Sequence, residues 1–202
     1  MLNSNQSRTT ARRGTSWRRH DLAGTLWLAL LGLLVALGLA RAAEAVASKE
    51  YQIKAAFVYN FAKFVDWPAS AFPKSDSPIV FAVLGSDAFA LELEKALKDR
   101  KINGRDLVAK RISNLEGAAG AHVLFVSSSQ DGHLAELQAI LKGHSVLTVG
   151  ESPAFAAAGG MINFVMEGDK VRFEINIDEV EAAGLKISAQ LQKLAKAIRK
   201  KS

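Results

Sequence analysis

Three strand-length apolar runs, each followed by small polar residues and then by a segment with helical spacing, constrain the fold more than any other feature. The runs are Pro78–Leu84, His122–Val126 and Ser145–Val149. Gly85-Ser86-Asp87 follows the first, Ser127-Ser128-Ser129 the second and Gly150-Glu151-Ser152-Pro153 the third. A strand that is apolar at successive positions has both faces covered, and parallel strands need helical crossovers to connect them. The helical segments supply these crossovers: Phe89, Leu93, Ala96 and Leu97 share a face, as do Leu134, Leu137 and Leu141. The expected fold is a three-layer α/β sandwich, a mostly parallel sheet with helices on both faces.

The flanking segments fill in this frame. A first helix is expected over about Ser48–Asp66, with Ile53, Phe57, Asn60 and Phe64 on one stripe and Lys54, Val58, Phe61 and Val65 on the next. Trp67-Pro68 ends it, because proline disfavours helix at the preceding residue. Asn103-Gly104 signals a turn before a strand at Leu107–Ile112. After Gly159-Gly160, Met161–Met166 and Lys170–Asn176 are joined by three residues, which implies an antiparallel C-terminal hairpin. Val171, Phe173 and Ile175 alternate with polar residues, so that strand should have one wet face and lie near a sheet edge. Ile187, Leu191, Leu194 and Ile198 then read as the apolar stripe of a closing helix.

The first 42 residues read as a signal peptide. Five arginines precede an uncharged apolar stretch from Leu22 to Ala40, and two A-x-A sites place cleavage near 42–45. The remainder, 43–202, is one domain, exported to the periplasm. The net charge of +6 belongs to the leader: six of the 26 basic but one of the 20 acidic residues fall in residues 1–41, leaving 20 against 19. Nothing in this balance, and no basic stripe interleaved with aromatics, points to nucleic acid. The chain has no cysteine, so its core must stabilise it without disulfides.

No recognised catalytic motif occurs: no G-x-S-x-G, H-E-x-x-H, Walker A or G-x-G-x-x-G. His122, His133 and His144 lack neighbours at ligand spacing and read as surface or capping residues, so no metal or cofactor is expected. The strand ends carry the one ligand signal. In open α/β sheets ligands bind beyond the carboxyl ends of strands, which makes Ser86, Asp87, Ser127, Ser128, Glu151 and Ser152 ligand-facing candidates. The same residue types are required as helix caps. Asn60, on an apolar stripe, and Asn163, inside a strand, read as structural buried amides. Tyr59, Trp67 and Phe72 exceed what one core face requires, and aromatic anchors dominate protein interfaces. They are the partner-binding candidates.

The segment Lys54-Ala-Ala-Phe-Val-Tyr-Asn-Phe-Ala-Lys-Phe-Val-Asp-Trp-Pro68 resembles the opening signature of the YfiR family. Asn103-Gly104-Arg105, His122–Val126, Leu147–Gly150, Gly160–Val165, Val171–Asn176 and Gly184–Ser188 match the same pattern in order, so the resemblance covers nearly all of residues 50–199. It implies a periplasmic regulator without enzymatic activity. Best-known members repress a membrane-bound diguanylate cyclase by binding its periplasmic sensor region, and an OmpA-like outer-membrane lipoprotein sequesters the repressor. The resemblance therefore implies a role in cyclic-di-GMP signalling through protein–protein interaction. A second copy of the chain, in a homodimer, is a further candidate partner. The alternative is a periplasmic small-ligand-binding module acting with a sensor kinase. Well-known members carry disulfide-forming cysteine pairs, and this chain departs from them there.

Overall fold

The computed structural model describes residues 46–200. The expected signal peptide and its cleavage sites lie outside the described residues. The chain is helical over residues 46–63 (α1) and then forms β1 (Val65–Asp66), β2 (Ile79–Leu84), α2 (Asp87–Leu97), β3 (Lys101–Ile102) and β4 (Arg105–Ile112). It continues through β5 (Val123–Val126), α3 (Leu134–Leu141), β6 (Leu147–Gly150), α4 (Pro153–Ala157), β7 (Ile162–Glu167) and β8 (Lys170–Asn176). It closes with α5 (Ile177–Ala182), β9 (Lys186–Ile187), α6 (Ala189–Leu194) and β10 (Ala197–Arg199).

Eight strands form one sheet in the order β10-β8-β7-β6-β5-β2-β4-β3. From β7 to β4 every pairing is parallel; the β7–β8 hairpin and the β3–β4 hairpin are antiparallel. Each face carries a helical layer. On one side Phe81, Val83, Phe125 and Val149 pack with Val58 and Phe61 of α1 and Phe89 and Leu93 of α2. On the other, Ala82, Leu84, Leu124 and Val126 pack with Leu134, Leu137 and Leu141 of α3 and Phe155 of α4. Successive residues of β2 and β5 thus enter opposite layers, which is why their sequences are apolar without alternation. Asn103 and Gly104 both have positive φ, 51° and 80°, and form the two-residue turn between β3 and β4.

Two expectations change. The stripe of α1 that is buried runs through Lys54, Val58, Phe61 and Val65. Ile53 is 38% exposed and Asn60 lies on the solvent side, so the buried amide expected at Asn60 is corrected: α1 presents its other stripe to the sheet. Next, the closing helix is replaced by β9, the short α6 and β10. Gly184 (φ 71°) ends α5, Ser188 caps α6, and the Ser188 N–H donates to the Phe64 carbonyl. Lys196 N–H then bonds Phe173 O and starts β10 alongside β8. Sheet pairing overrides the helical spacing, and Leu194 and Ile198 of the supposed stripe are exposed. As expected, β8 lies near the sheet edge, one strand in because β10 covers it, and its pattern of buried Val171, Phe173 and Ile175 leaves one wet face.

Candidate functional site

The strand-end residues separate by role. Ser86 accepts from the Phe89 N–H at the start of α2, and Ser152 accepts from the Phe155 N–H at the start of α4. Ser127 accepts from the Ser129 N–H. Each satisfies a donor that the helix start leaves open. Connections leave β2 and β5 in opposite directions, so the crevice between their carboxyl ends is the topological switch point where ligands commonly bind in such sheets. Here Ser129 and Gln130 occupy it. Ser129 Oγ donates to the Gly85 carbonyl at 3.0 Å, and a Cβ at Gly85 would come within 2.6 Å of that hydroxyl. Asp87 and Ser128 are solvent-exposed and are not drawn into a common cluster.

Glu151 behaves differently. It follows β6 and meets Lys54 of α1, with Nζ 2.7 Å from Oε2. Glu50, one turn earlier on α1, takes the same ammonium at 2.5 Å. The Lys54 and Glu151 side chains are 5% and 8% exposed, Glu50 32%. The ammonium also lies 5.6 Å from the Tyr51 ring centroid and 5.8 Å from that of Phe164. Burial pushes the Lys54 pKa down, but the hydrogen bonds and charges of Glu151 and Glu50 more than offset it and hold it above its ordinary value. Lys54 is therefore a fixed cation. Beside this cluster a cavity of about 500 Å³ opens, lined also by Asn163 and Met166 of β7. Asn163 is 5% exposed, as a buried amide should be, yet its Oδ1 has no hydrogen-bond donor. Neither the pairing nor the orphan acceptor was visible in the sequence, since Lys54 and Glu151 are far apart along the chain.

At the amino ends of the central strands β2 and β5, Trp67, Phe72 and His122 come together. The Phe72 ring stacks on His122 at 4.5 Å and receives the Arg105 guanidinium at 3.8 Å. Trp67 meets His122 edge-on at 6.3 Å, and its indole Nε1–H is buried without an acceptor. Tyr59 sits apart on α1, with Arg100 4.7 Å and Lys63 5.7 Å from its ring centroid. All three aromatics are half-buried.

His122 is itself a correction: it is 7% exposed, not a surface or capping residue. Nδ1 accepts from the Val80 N–H at 3.1 Å and Nε2 lies 3.1 Å from the Ala71 carbonyl, so the neutral ring with its proton on Nε2 satisfies both. The histidine brackets β2 to the turn at Ala69–Ala71, a role that local spacing does not reveal. His133 and His144 are exposed, and no cluster of three or more metal-ligating side chains occurs among the described residues.

Burial lowers the His122 pKa below 6.5; the Ala71 hydrogen bond opposes this, and the Arg105 charge adds to it. The unfolded chain then takes up the proton first, so stability falls as pH falls. The contribution is complete above pH 6.5 and is lost as pH drops from there through the lowered folded value. Urea unfolding at stepped pH should show this decline. A variant such as His122→Gln, which removes the titrating group, should show a flatter profile over the same window. An unchanged slope in the variant would show that other groups govern it.

Among the described residues no helix is long and apolar enough to cross a membrane. Two solved structures share partial likeness. One is a conserved domain protein from Vibrio cholerae O1 biovar El Tor, 10% identical, with TM-score 0.47, covering 59% of this chain and 54% of that one. The other is an ABC domain from Streptococcus pneumoniae solved with L-Trp, 11% identical, with TM-score 0.44, covering 60% and 55%. The chain spans about half the length of each. Likeness this remote carries no argument. The family match is of another order: the model of the YfiR/HmsC-like family aligns with residues 51–196, from the first helix to the threshold of β10. This chain belongs to the YfiR/HmsC-like family.

Proposed function

We propose that the protein is exported with loss of its first 42 or so residues and acts in the periplasm as a non-enzymatic regulator. It binds the periplasmic sensor region of a membrane-bound diguanylate cyclase and represses it, and an OmpA-like lipoprotein relieves that repression by sequestering it. Membership of the YfiR/HmsC-like family over residues 51–196 carries the reading. Tyr59, Trp67 and Phe72 are the proposed anchors. They differ in how they can be tested. Phe72 is stacked on buried His122, so a charge there would also disturb the fold. Tyr59 is the cleaner probe, because Arg100 and Lys63 beside its ring would accept a carboxylate.

Tyr59→Glu should therefore raise cellular cyclic-di-GMP to the level of a deletion strain while its thermal unfolding stays close to wild type. A folded Tyr59→Glu protein that represses fully would remove Tyr59 from the interface. Wild-type cyclic-di-GMP in the deletion strain itself would overturn the cyclase reading. A second reading, a small-ligand sensor module acting with a sensor kinase, is favoured by one observation: the cavity beside Lys54, lined by Tyr51, Asn163 and Phe164.

A further inference from the structure

The segment Trp67–Ser77, between β1 and β2, has few ties to the fold. None of its residues is fully buried. Its backbone hydrogen bonds stay within it, from Ala71 N–H to Pro68 O, Phe72 N–H to Ala69 O and Ser77 N–H to Lys74 O. Among the described residues, the hydrogen bonds that join it to the rest of the fold come from two side chains. Arg105 of β4 donates to the carbonyls of Ser77 at 2.7 Å and Lys74 at 3.4 Å. His122 donates from Nε2 to Ala71 O, while its Nδ1 accepts from Val80 N–H. The Phe72 ring meets both holders, stacked on the imidazole and against the guanidinium. A segment with little burial and few ties opens locally at small cost.

Only one of the two holders can change its charge near neutral pH, since arginine stays protonated. A second proton on His122 would go to Nδ1, where Val80 N–H already points, so a donor would face a donor. The surroundings offer no compensating charge. Arg105 reaches the imidazole across Phe72, and His144 shares the cavity of about 580 Å³ that opens beside it. No carboxylate lines that cavity, β2 carries no charged side chain, and Lys74 and Asp76 of the segment itself are exposed. We infer that His122 is an acid-released latch: the neutral ring holds Trp67–Ser77 against the sheet, and the protonated ring frees it, so that Trp67 and Phe72 leave their places. Burial, with the Arg105 charge adding to it, keeps the pKa below 6.5, so the latch is closed at neutral pH and opens as pH falls through that lowered value. The release is a property of the fold alone. That it withdraws two anchors from the cyclase rests on the function proposed above.

Trp67 reports on the segment directly, because Trp17→Phe and Trp27→Phe leave it as the one indole of the full chain. Acrylamide quenching of its fluorescence is followed from neutral to acid pH, with far-UV circular dichroism read on the same samples. Quenching should rise at least about twofold in one transition below pH 6.5, while the dichroism keeps its neutral-pH value. His122→Gln should abolish the transition, and His144→Gln should leave it in place. Arg105→Gln removes a repelling cation and the other holder, so it should move the midpoint to higher pH; it keeps the test decisive if His122→Gln does not fold. Quenching that stays flat until the dichroism collapses would overturn the latch. So would a transition that survives in folded His122→Gln, disappears in His144→Gln or keeps its midpoint in Arg105→Gln. Cyclase repression is judged separately, from cyclic-di-GMP in cells at neutral pH.

Discussion

Lys54→Met should destabilise the fold by about 3–5 kcal/mol, the usual cost of leaving a buried charge without its partner. The carboxylate of Glu151 is 8% exposed and would lose the ammonium that justifies its burial. Glu151→Gln should cost less, because Glu50 still holds Lys54. The double variant Lys54→Met with Glu151→Leu should recover most of the loss, since an apolar pair of similar size replaces an ion pair with little net penalty. Urea unfolding of the wild type, Lys54→Met, Glu151→Leu and the double variant forms the cycle. Additive losses in the double variant would show that the two side chains act separately. The raised Lys54 pKa sets the alkaline limit of the interaction: its contribution is fully present as pH approaches 10.5 from neutrality and is lost as pH rises through the still higher folded value.

Gly160→Ala should cost at least about 3 kcal/mol, the upper end of what overpacking a core does. The ring of Phe155 lies where a Cβ at Gly160 would stand, and it equally overlaps the Cβ position of Gly150. Neither glycine has a positive φ, so alanine fits both backbones and the penalty isolates the steric overlap. Phe155 is 2% exposed and is fixed from below by its own helix, whose first turn Ser152 caps. Phe155→Ala alone should cost about 3–5 kcal/mol through the cavity it leaves. In that background Gly160→Ala should become nearly neutral, because the methyl group enters the vacated space. An equal penalty in both backgrounds would mean that the glycine is needed for a reason other than Phe155.

How legible the fold was depended on the range of the interactions that decide each part. The buried strands announced themselves because β2, β5 and β6 are covered on both faces, which leaves a continuous apolar run in the sequence. The hairpin turns and caps were equally local: Asn103-Gly104, Ser86, Ser152 and Ser188 act on neighbours within a few residues. The C-terminus misled for the opposite reason. Helical spacing over Ile187–Ile198 is a local signal, and the distant strands β1 and β8 outcompete it by supplying partners for the backbone. On α1 two adjacent stripes were apolar enough to be buried, and only the sheet decides between them; Asn60 fell on the one it rejected.

The candidate site was less legible still. Glu151 was singled out as a strand-end residue, but its role depends on Lys54, which enters from another layer. Asn163 was recognised as a buried amide, but the sequence contains no sign that its oxygen lacks a donor. His122 resembles any histidine at the start of a strand until the turn before β2 is folded against it.

The ribbon between β1 and β9 has a kinetic consequence. Val65 pairs with Ile187, and the aromatic face of α1 rests on Phe164 and Phe173, so the first helix is completed by nearly the last elements of the chain. Contacts between residues so far apart close late and slow the folding of small domains. A chain emerging N-terminus first leaves Phe57 and Phe61 without these rings for the whole interval before the β7–β8 hairpin arrives. During that interval α1 is an amphipathic helix that lacks part of its partner surface, open to association with other emerging chains. Assembly therefore waits on the last quarter of the sequence, and a chain interrupted after α4 would leave Phe57 and Phe61 of its first helix without the Phe164 and Phe173 rings they rest on.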